Sequence, residues 1–297
     1  MKTFMPVNER CLICKSPSLK KLTRYSDNFL VKCKNCGLVF CEKIPTKQEL
    51  DDYYKVYAYD SNYYSPITKQ RYIELLKSFE KYRKTNKILD VGCGNGFFLE
   101  TAKEKGWEVY GTEYSAKAVE VLNKKNIKTF YGVLNTKHFE KEMFDVITSF
   151  EVIEHINNPL EELEKFTFLL RKNGVLYITT PNFNSISRYL LKEKWNIIKY
   201  PEHLTYYNAK TLDNLLKLNG FKKVYLKTTG FSLSRLKQSK SGDSEKNNKS
   251  NVQQNIDENL RQKIEKNKFL YLSVNIINSI LNLLKKGDTI KALYIKN

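Results

Sequence analysis

Apolar and polar positions along the chain follow two rhythms, and the places where one gives way to the other predict its elements. Ile88, Leu89 and Val91 form a short apolar run that reads as a buried strand and stops at Gly92, Gly94 and Gly96. The stretch 97–105 has helical spacing and ends at Gly106, after which residues 107–112 return to a strand that delivers Glu113. Upstream, Tyr72, Leu75, Leu76, Phe79 and Tyr82 recur at helical spacing and predict an amphipathic helix before that first strand. Strands and helices alternate from there to about residue 227, the pattern of a doubly wound, mostly parallel α/β sheet with helices on both faces. Between 238 and 254 only Val252 is aliphatic, which predicts a flexible insertion. Leu270, Val274, Ile277, Leu281 and Leu284 then mark a helix with a wide apolar face and a narrow polar stripe of Asn275, Asn278 and Asn282. That face is expected to pack on the domain or on a second copy of the chain as a homodimer; a membrane-surface role helped by Lys285 and Lys286 is the alternative. Residues 289–296 alternate as a final strand.

The glycine turn after the first strand is where chemistry enters. Glycine lets the backbone turn sharply and approach a ligand, and the helix that follows offers unpaired N–H groups to a polar or anionic group. Glu113, 19 residues after Gly94, stands where a carboxylate accepts both hydroxyls of a ribose. Strand, glycine turn, helix and acid-tipped second strand together form a nucleoside-binding half-fold. The dinucleotide pattern G-x-G-x-x-G does not fit, because the third glycine comes one residue early.

Asp90-x-Gly92-x-Gly94-x-Gly96 resembles the first motif of class I S-adenosylmethionine-dependent methyltransferases, and Glu113 falls where they hold the cofactor ribose. The run Phe144-Asp145-Val146-Ile147-Thr148-Ser149-Phe150 resembles their fourth strand, and Gly174-Val175-Leu176-Tyr177-Ile178-Thr179-Thr180-Pro181-Asn182 their fifth. Glu151-Val152-Ile153-Glu154-His155, Pro201-Glu202-His203-Leu204-Thr205-Tyr206-Tyr207 and Leu218-Asn219-Gly220-Phe221 resemble the subgroup of ubiquinone-pathway and sugar methyltransferases. The resemblance covers roughly 68–230 and the last eight residues. It implies a seven-stranded Rossmann-like sheet, S-adenosyl-L-methionine as cofactor, and a cofactor set of Asp90, Gly92, Cys93, Gly94, Gly96, Glu113 and Phe150.

Cys11-x2-Cys14, 18 residues, then Cys33-x2-Cys36 has the spacing of two metal knuckles, so a structural zinc ion with four thiolate ligands is expected. Four free thiols and a disulfide pair are the alternatives. Lys15, Lys32 and Lys34 would offset the negative charge of a tetrathiolate site. Cys41 lies outside the knuckles, and Cys93 reads as a packing residue. The expected organisation is a zinc-ribbon-like module at 1–45, a tyrosine-rich linker at 46–67 and a methyltransferase domain at 68–237. The insertion at 238–256 and a closing helix and strand at 257–297 complete it. Tyr53, Tyr54, Tyr57, Tyr59, Tyr63 and Tyr64 either pack the linker on the domain or stack on an acceptor ring.

The formal charge of +19 raises a nucleic-acid reading, but the 51 cations comprise 43 Lys and 8 Arg and are spread along the chain. The run 269–284 is too short and too polar to span a bilayer, residues 1–10 lack a leader-like apolar stretch, and a cytoplasmic protein is expected.

Methyl transfer to a hydroxyl needs in-line placement, exclusion of water and removal of a proton. His203 is the first candidate base and His155 the second; a structural loop histidine is the alternative for His203. Glu151, Glu154 and His155 at i, i+3 and i+4 would share a helix face and form either a weak divalent-metal site or a polar network. His138 reads as ordinary surface. The expected function is O-methylation of a small-molecule acceptor, a sugar nucleotide or another hydroxylated metabolite of surface-glycan or natural-product assembly. An RNA methyltransferase using the ribbon and basic surface, and a non-catalytic cofactor-binding scaffold, are the rivals.

Overall fold

The computed structural model describes residues 6–56, 65–231 and 267–297. Three short strands, β1 (Leu19–Lys21), β2 (Leu30–Cys33) and β3 (Val39–Cys41), form an antiparallel ribbon. Helices α1 (Lys47–Val56) and α2 (Pro66–Phe79) lead into the main domain. There follow β4 (Lys87–Val91), α3 (Phe97–Glu104), β5 (Glu108–Glu113), α4 (Ala116–Lys124), β6 (Lys128–Tyr131) and β7 (Phe144–Phe150). The chain continues through α5 (Pro159–Leu169), β8 (Leu170–Pro181), α6 (Ile186–Leu191), β9 (Thr205–Tyr206), α7 (Ala209–Leu218) and β10 (Phe221–Thr229). It closes with α8 (Lys268–Leu283) and β11 (Thr289–Lys296).

Seven of these strands form one sheet in the order β10-β11-β8-β7-β4-β5-β6, with β11 antiparallel to both neighbours and the five strands from β8 to β6 parallel. This is the expected fold class. The pleat sorts side chains onto two faces. Leu89, Ile147, Leu176 and Ile178 meet α5 and α7 on one face, while Ile88, Val146, Val175 and Tyr177 meet α2 and α3 on the other. The strand order reverses between β4 and β7, and ligands of open α/β sheets bind outside the carboxyl ends of strands at such a point.

The ribbon is fused to this domain. Strand β3 pairs with β9, Val39 opposite Tyr206 and Phe40 opposite Thr205, making a four-stranded sheet β1-β2-β3-β9. Cys11, Leu12, Val31 and Phe40 join the core under α5 and α7, and Leu30 and Val39 share a second core with Trp195, Leu204 and Tyr206. A segment this short gains from its neighbour the apolar burial that it could not supply alone.

Two expectations are corrected. The first part of the tyrosine-rich linker is helix α1, while Tyr57, Tyr59, Tyr63, Tyr64 and the insertion at 238–256 lie outside the described residues. In α8 two residues of the polar stripe face inward while Asn275 is exposed: Asn282 Oδ1 accepts the Thr228 amide at 3.0 Å and Asn278 Oδ1 that of Gly230 at 2.9 Å. These side chains satisfy backbone donors at the end of β10 that would otherwise lack a strand. Among the described residues Leu281 alone of the expected apolar face is buried, and Leu270, Ile277 and Leu284 are exposed.

Candidate functional site

The turn after β4 is shaped by two positions that exclude a side chain. Gly92 has φ +69°, and a Cβ there would stand 2.6 Å from Val152 Cγ2. Gly96 has φ +74°, caps α3, and leaves only 2.2 Å between such an atom and Leu122 Cδ2. Between them Gly94 (φ +52°) turns its amide onto Glu113, whose Oε2 accepts it at 2.8 Å, while Oε1 accepts the Ser115 amide at 2.8 Å. Gly92 and Cys93 both donate their amides to Thr112 O. Burial raises the Cys93 thiol well above its ordinary range, so its place is in packing.

Asp90 is 2% exposed at the end of β4 and accepts a hydrogen bond from Thr148 Oγ1 at 2.7 Å. Burial pushes its carboxyl up to about 8; the Thr148 bond opposes this and the Glu113 charge adds to it. Phe150, at the end of β7, lies in an aromatic cluster with Phe98 at 5.0 Å, Tyr177 at 5.5 Å and Tyr72 at 5.8 Å between ring centroids. Helix α1 reaches the same region, where Asp51 accepts the Tyr114 hydroxyl at 2.9 Å. Asp90, Gly92, Cys93, Gly94, Gly96 and Glu113 therefore form one cradle at the strand ends.

A second group stands beside it, because Val152, the residue against Gly92, leads directly into Glu154 and His155. The expected helical face for Glu151, Glu154 and His155 does not form. Glu151 takes φ +54° and is exposed, and Ile153–His155 make a single 3-10 turn. Glu154 and His155 instead meet His203, with potential ligand atoms of all three within 4.8 Å of one another. The two imidazoles lie edge to face, 4.7 Å between centroids. His155 Nδ1 bonds the Glu202 carbonyl at 2.7 Å and His203 Nδ1 the Ile197 carbonyl at 2.6 Å. A carbonyl only accepts, so each Nδ1 carries the proton in these bonds, and the Glu151 backbone carbonyl is a further acceptor beside the His155 ring.

Burial lowers His155 to about 4, helped by the neighbouring His203 charge. Glu154 is 2% exposed and pushed well above the carboxylate range by burial first and the Glu151 charge second. Its Oε2 accepts Thr180 Oγ1 at 3.0 Å, and Oε1 has no hydrogen-bond partner among the described residues. His138 stacks on Phe130 at 4.8 Å, away from these partners.

The ribbon touches the same loop. Cys41 donates its amide to Leu204 O at 2.8 Å and its thiol to His203 O at 3.4 Å, while Leu204 donates to Glu154 O at 2.8 Å. Cys11, Cys14, Cys33 and Cys36 converge, with Cys11 and Cys36 sulfurs at 3.4 Å, Cys14 and Cys33 at 3.5 Å, and all four Sγ atoms within 4.8 Å. Tetrahedral zinc with bonds of about 2.3 Å separates its sulfurs by roughly 3.8 Å, so the four donors fit such an ion. The cysteines are unbridged, and contact with Cys36 lowers Cys11 while raising Cys36.

Sequence reading missed Thr148, Ser115 and Thr180 as partners of the acidic groups. The signal for Thr148 was a polar pair, Thr148-Ser149, following the apolar Val146-Ile147 within β7.

A family profile described as a methyltransferase domain matches residues 64–226, more than half of the chain. The ubiquinone biosynthesis O-methyltransferase of Pelagibacter ubique is 32% identical over 164 residues, covering 49% of this chain and 68% of that protein. The enzyme of the same name from Haemophilus ducreyi is 30% identical over 116 residues, and the match spans 35% of this chain and 49% of that one. The chain thus spans about half the length of several curated relatives it matches. Its fold is similar to a SAM-dependent methyltransferase from Archaeoglobus fulgidus, with TM-score 0.51, 20% identity, and coverage of 77% of this chain and 93% of that one. It is also similar to a Haemonchus contortus phosphoethanolamine N-methyltransferase solved with S-adenosyl-L-methionine, with TM-score 0.50, 19% identity, and coverage of 80% and 54%. With the sheet order, the glycine cradle and the profile in agreement, the chain belongs to the class I S-adenosylmethionine-dependent methyltransferases.

Proposed function

We propose that the protein methylates a hydroxyl of a small molecule, a sugar nucleotide or another hydroxylated metabolite of surface-glycan or natural-product assembly. The observation that carries this reading is His203: its Nδ1 is tied to the Ile197 carbonyl, and its ring packs on His155, three residues after the Val152 that stands against Gly92. S-adenosylmethionine supplies an electrophilic methyl group on a positively charged sulfur. Glu113 and the Gly94 turn hold its ribose end, Asp90 closes the strand end, and Phe150 with Phe98 and Tyr72 excludes water. His203 Nε2 takes the acceptor proton, and His155, lowered to about 4, stays neutral and does not repel the imidazolium that forms. The ubiquinone-pathway relatives support oxygen as the methylated atom.

A divalent cation held by Glu154, His155 and His203 is a second reading, favoured by the clustering of their ligand atoms. It would occupy the His203 lone pair and replace general-base chemistry with metal binding of the acceptor oxygen. Zinc in the four-cysteine clip is structural in either case, and a reducing cytoplasm suits its thiolates. No helix among the described residues is long and apolar enough to cross a membrane. A second copy of the chain on the exposed side of α8 belongs to the same proposal.

The test is transfer of labelled methyl to a panel of nucleotide sugars, catechols and short RNAs, with and without added Mg²⁺. Labelling of a small hydroxylated acceptor without added metal supports the base reading. Labelling of RNA alone, or cofactor binding with no transfer to any acceptor, overturns it.

A further inference from the structure

A pocket of about 470 Å³ opens where the ribbon meets the first turn of α7, and its rim carries Lys20, Lys32, Lys34 and Lys210. No carboxylate lines it, and among the described residues none of the four forms an ion pair. Their placement is locally unfavourable in two ways. The antiparallel register sets Lys20 directly opposite Lys32, a like-charge pair that destabilises a ladder. Lys210 sits in the first turn of α7, the end of a helix that repels cations. Local rules broken together at one concavity are expected where a ligand restores the balance.

Charge on the clip does not account for all four. Cys33 and Cys36 line the floor, and a zinc tetrathiolate carries two negative charges. Lys32 and Lys34 flank Cys33 and match that charge, whereas Lys20 comes from β1 and Lys210 from α7, outside the knuckles. Two positive charges remain on the pocket lining, one from β1 and one from α7.

We propose that this pocket binds a diphosphate group, as carried by a nucleotide-activated sugar. The two remaining charges balance a diphosphate, and the volume suits a small anion or one end of a nucleotide. Helix α7 begins at the end of the sheet where the cradle lies, six residues after His203, so a diphosphate held by Lys210 leaves the sugar on the side of the catalytic loop. The link to methyl transfer rests on the acceptor class proposed above; the anion site does not.

The experiment is calorimetric titration of the full zinc-containing chain with inorganic diphosphate and with UDP-glucose at low ionic strength, comparing wild type with Lys20→Gln/Lys210→Gln. We expect wild-type binding that weakens with salt, and at least about a tenfold loss in the double variant from removing two near-surface charges. Zinc content and cofactor affinity should be unchanged, and the ligand-free variant should melt higher because the Lys20–Lys32 repulsion is gone. Equal affinities, or no wild-type binding, overturn the site. Diphosphate binding that UDP-glucose fails to displace overturns the nucleotide-sugar assignment, and RNA binding that diphosphate fails to displace overturns the ligand class. None of these readouts requires methyl transfer, so failure of the acceptor proposal is seen separately.

Discussion

Glu113 holds the amide of Gly94 at 2.8 Å, so the residue expected to grip the cofactor also sets the shape of the turn that receives it. Its second oxygen holds Ser115 at the start of α4. In Glu113→Gln one of these amides would face an NH₂ group. Charged hydrogen bonds of this kind contribute about 1.5–3 kcal/mol, so cofactor affinity should fall roughly tenfold to a hundredfold. Calorimetry with S-adenosylmethionine checks this, and an unchanged dissociation constant removes Glu113 from the ribose role.

His203→Ala should lower turnover by about 10²–10⁴-fold, the ordinary contribution of a general base, with cofactor affinity nearly unchanged. If turnover with the true acceptor survives in both His203→Ala and His203→Gln, the proton leaves by another route.

Two buried groups give opposite pH slopes. His155 falls from 6.5 to about 4 on folding, so its contribution to stability is present above 6.5 and is lost as the pH drops toward 4. Asp90 rises from 3.8 to about 8, so its contribution is full below 3.8 and is lost as the pH climbs through 8. The slopes oppose each other between about 4 and 6.5, and above that range Asp90 declines in the same direction as the buried Glu154, whose carboxyl is also raised. The ligand-free protein should therefore melt lower at pH 8 than at pH 6.5, and Asp90→Asn should flatten that decline. An identical slope in the variant would show that Asp90 does not set the decline and would leave it to Glu154.

Because β3 is paired with β9, removing the metal should disturb more than the ribbon. Purified protein should carry about one zinc per chain, and chelation should reduce methyl transfer while the far-UV spectrum of the main sheet persists. Phe40 is fully buried in the shared core, so Phe40→Ala should cost about 3–5 kcal/mol and lower the melting point of the whole chain. Two separate transitions, with the later one untouched, would show that the ribbon folds independently.

Helix α8 leaves Phe269 85% and Leu283 80% exposed among the described residues. Light scattering should find a dimer that Phe269→Glu/Leu283→Glu converts to a monomer; a monomeric wild type refutes pairing through this helix.

The cradle was legible because its parts are local. Glycines at alternate positions, the strand before them and the acid at the next strand's end lie within 26 residues, from Ile88 to Glu113, and each obeys a backbone rule. The cysteine clip was legible for the same reason. The meeting of His155 with His203 was not, since it depends on two loops brought together by β9 and on carbonyls of Ile197 and Glu202 that leave no side-chain signature. The helical spacing of Glu151, Glu154 and His155 misled because positive φ at Glu151 ends β7 in a turn. In α8 the periodicity located the helix correctly, but the inward face was chosen by the hydrogen-bonding needs of β10 rather than by hydrophobicity.

That choice bears on how copies of the chain can associate. Strand β10 is the outermost member of the large sheet, and a bare outer strand invites end-on polymerisation through its backbone. By plugging the amides of Thr228 and Gly230, Asn282 and Asn278 blunt one end of that rim and remove two donors that an added strand would need.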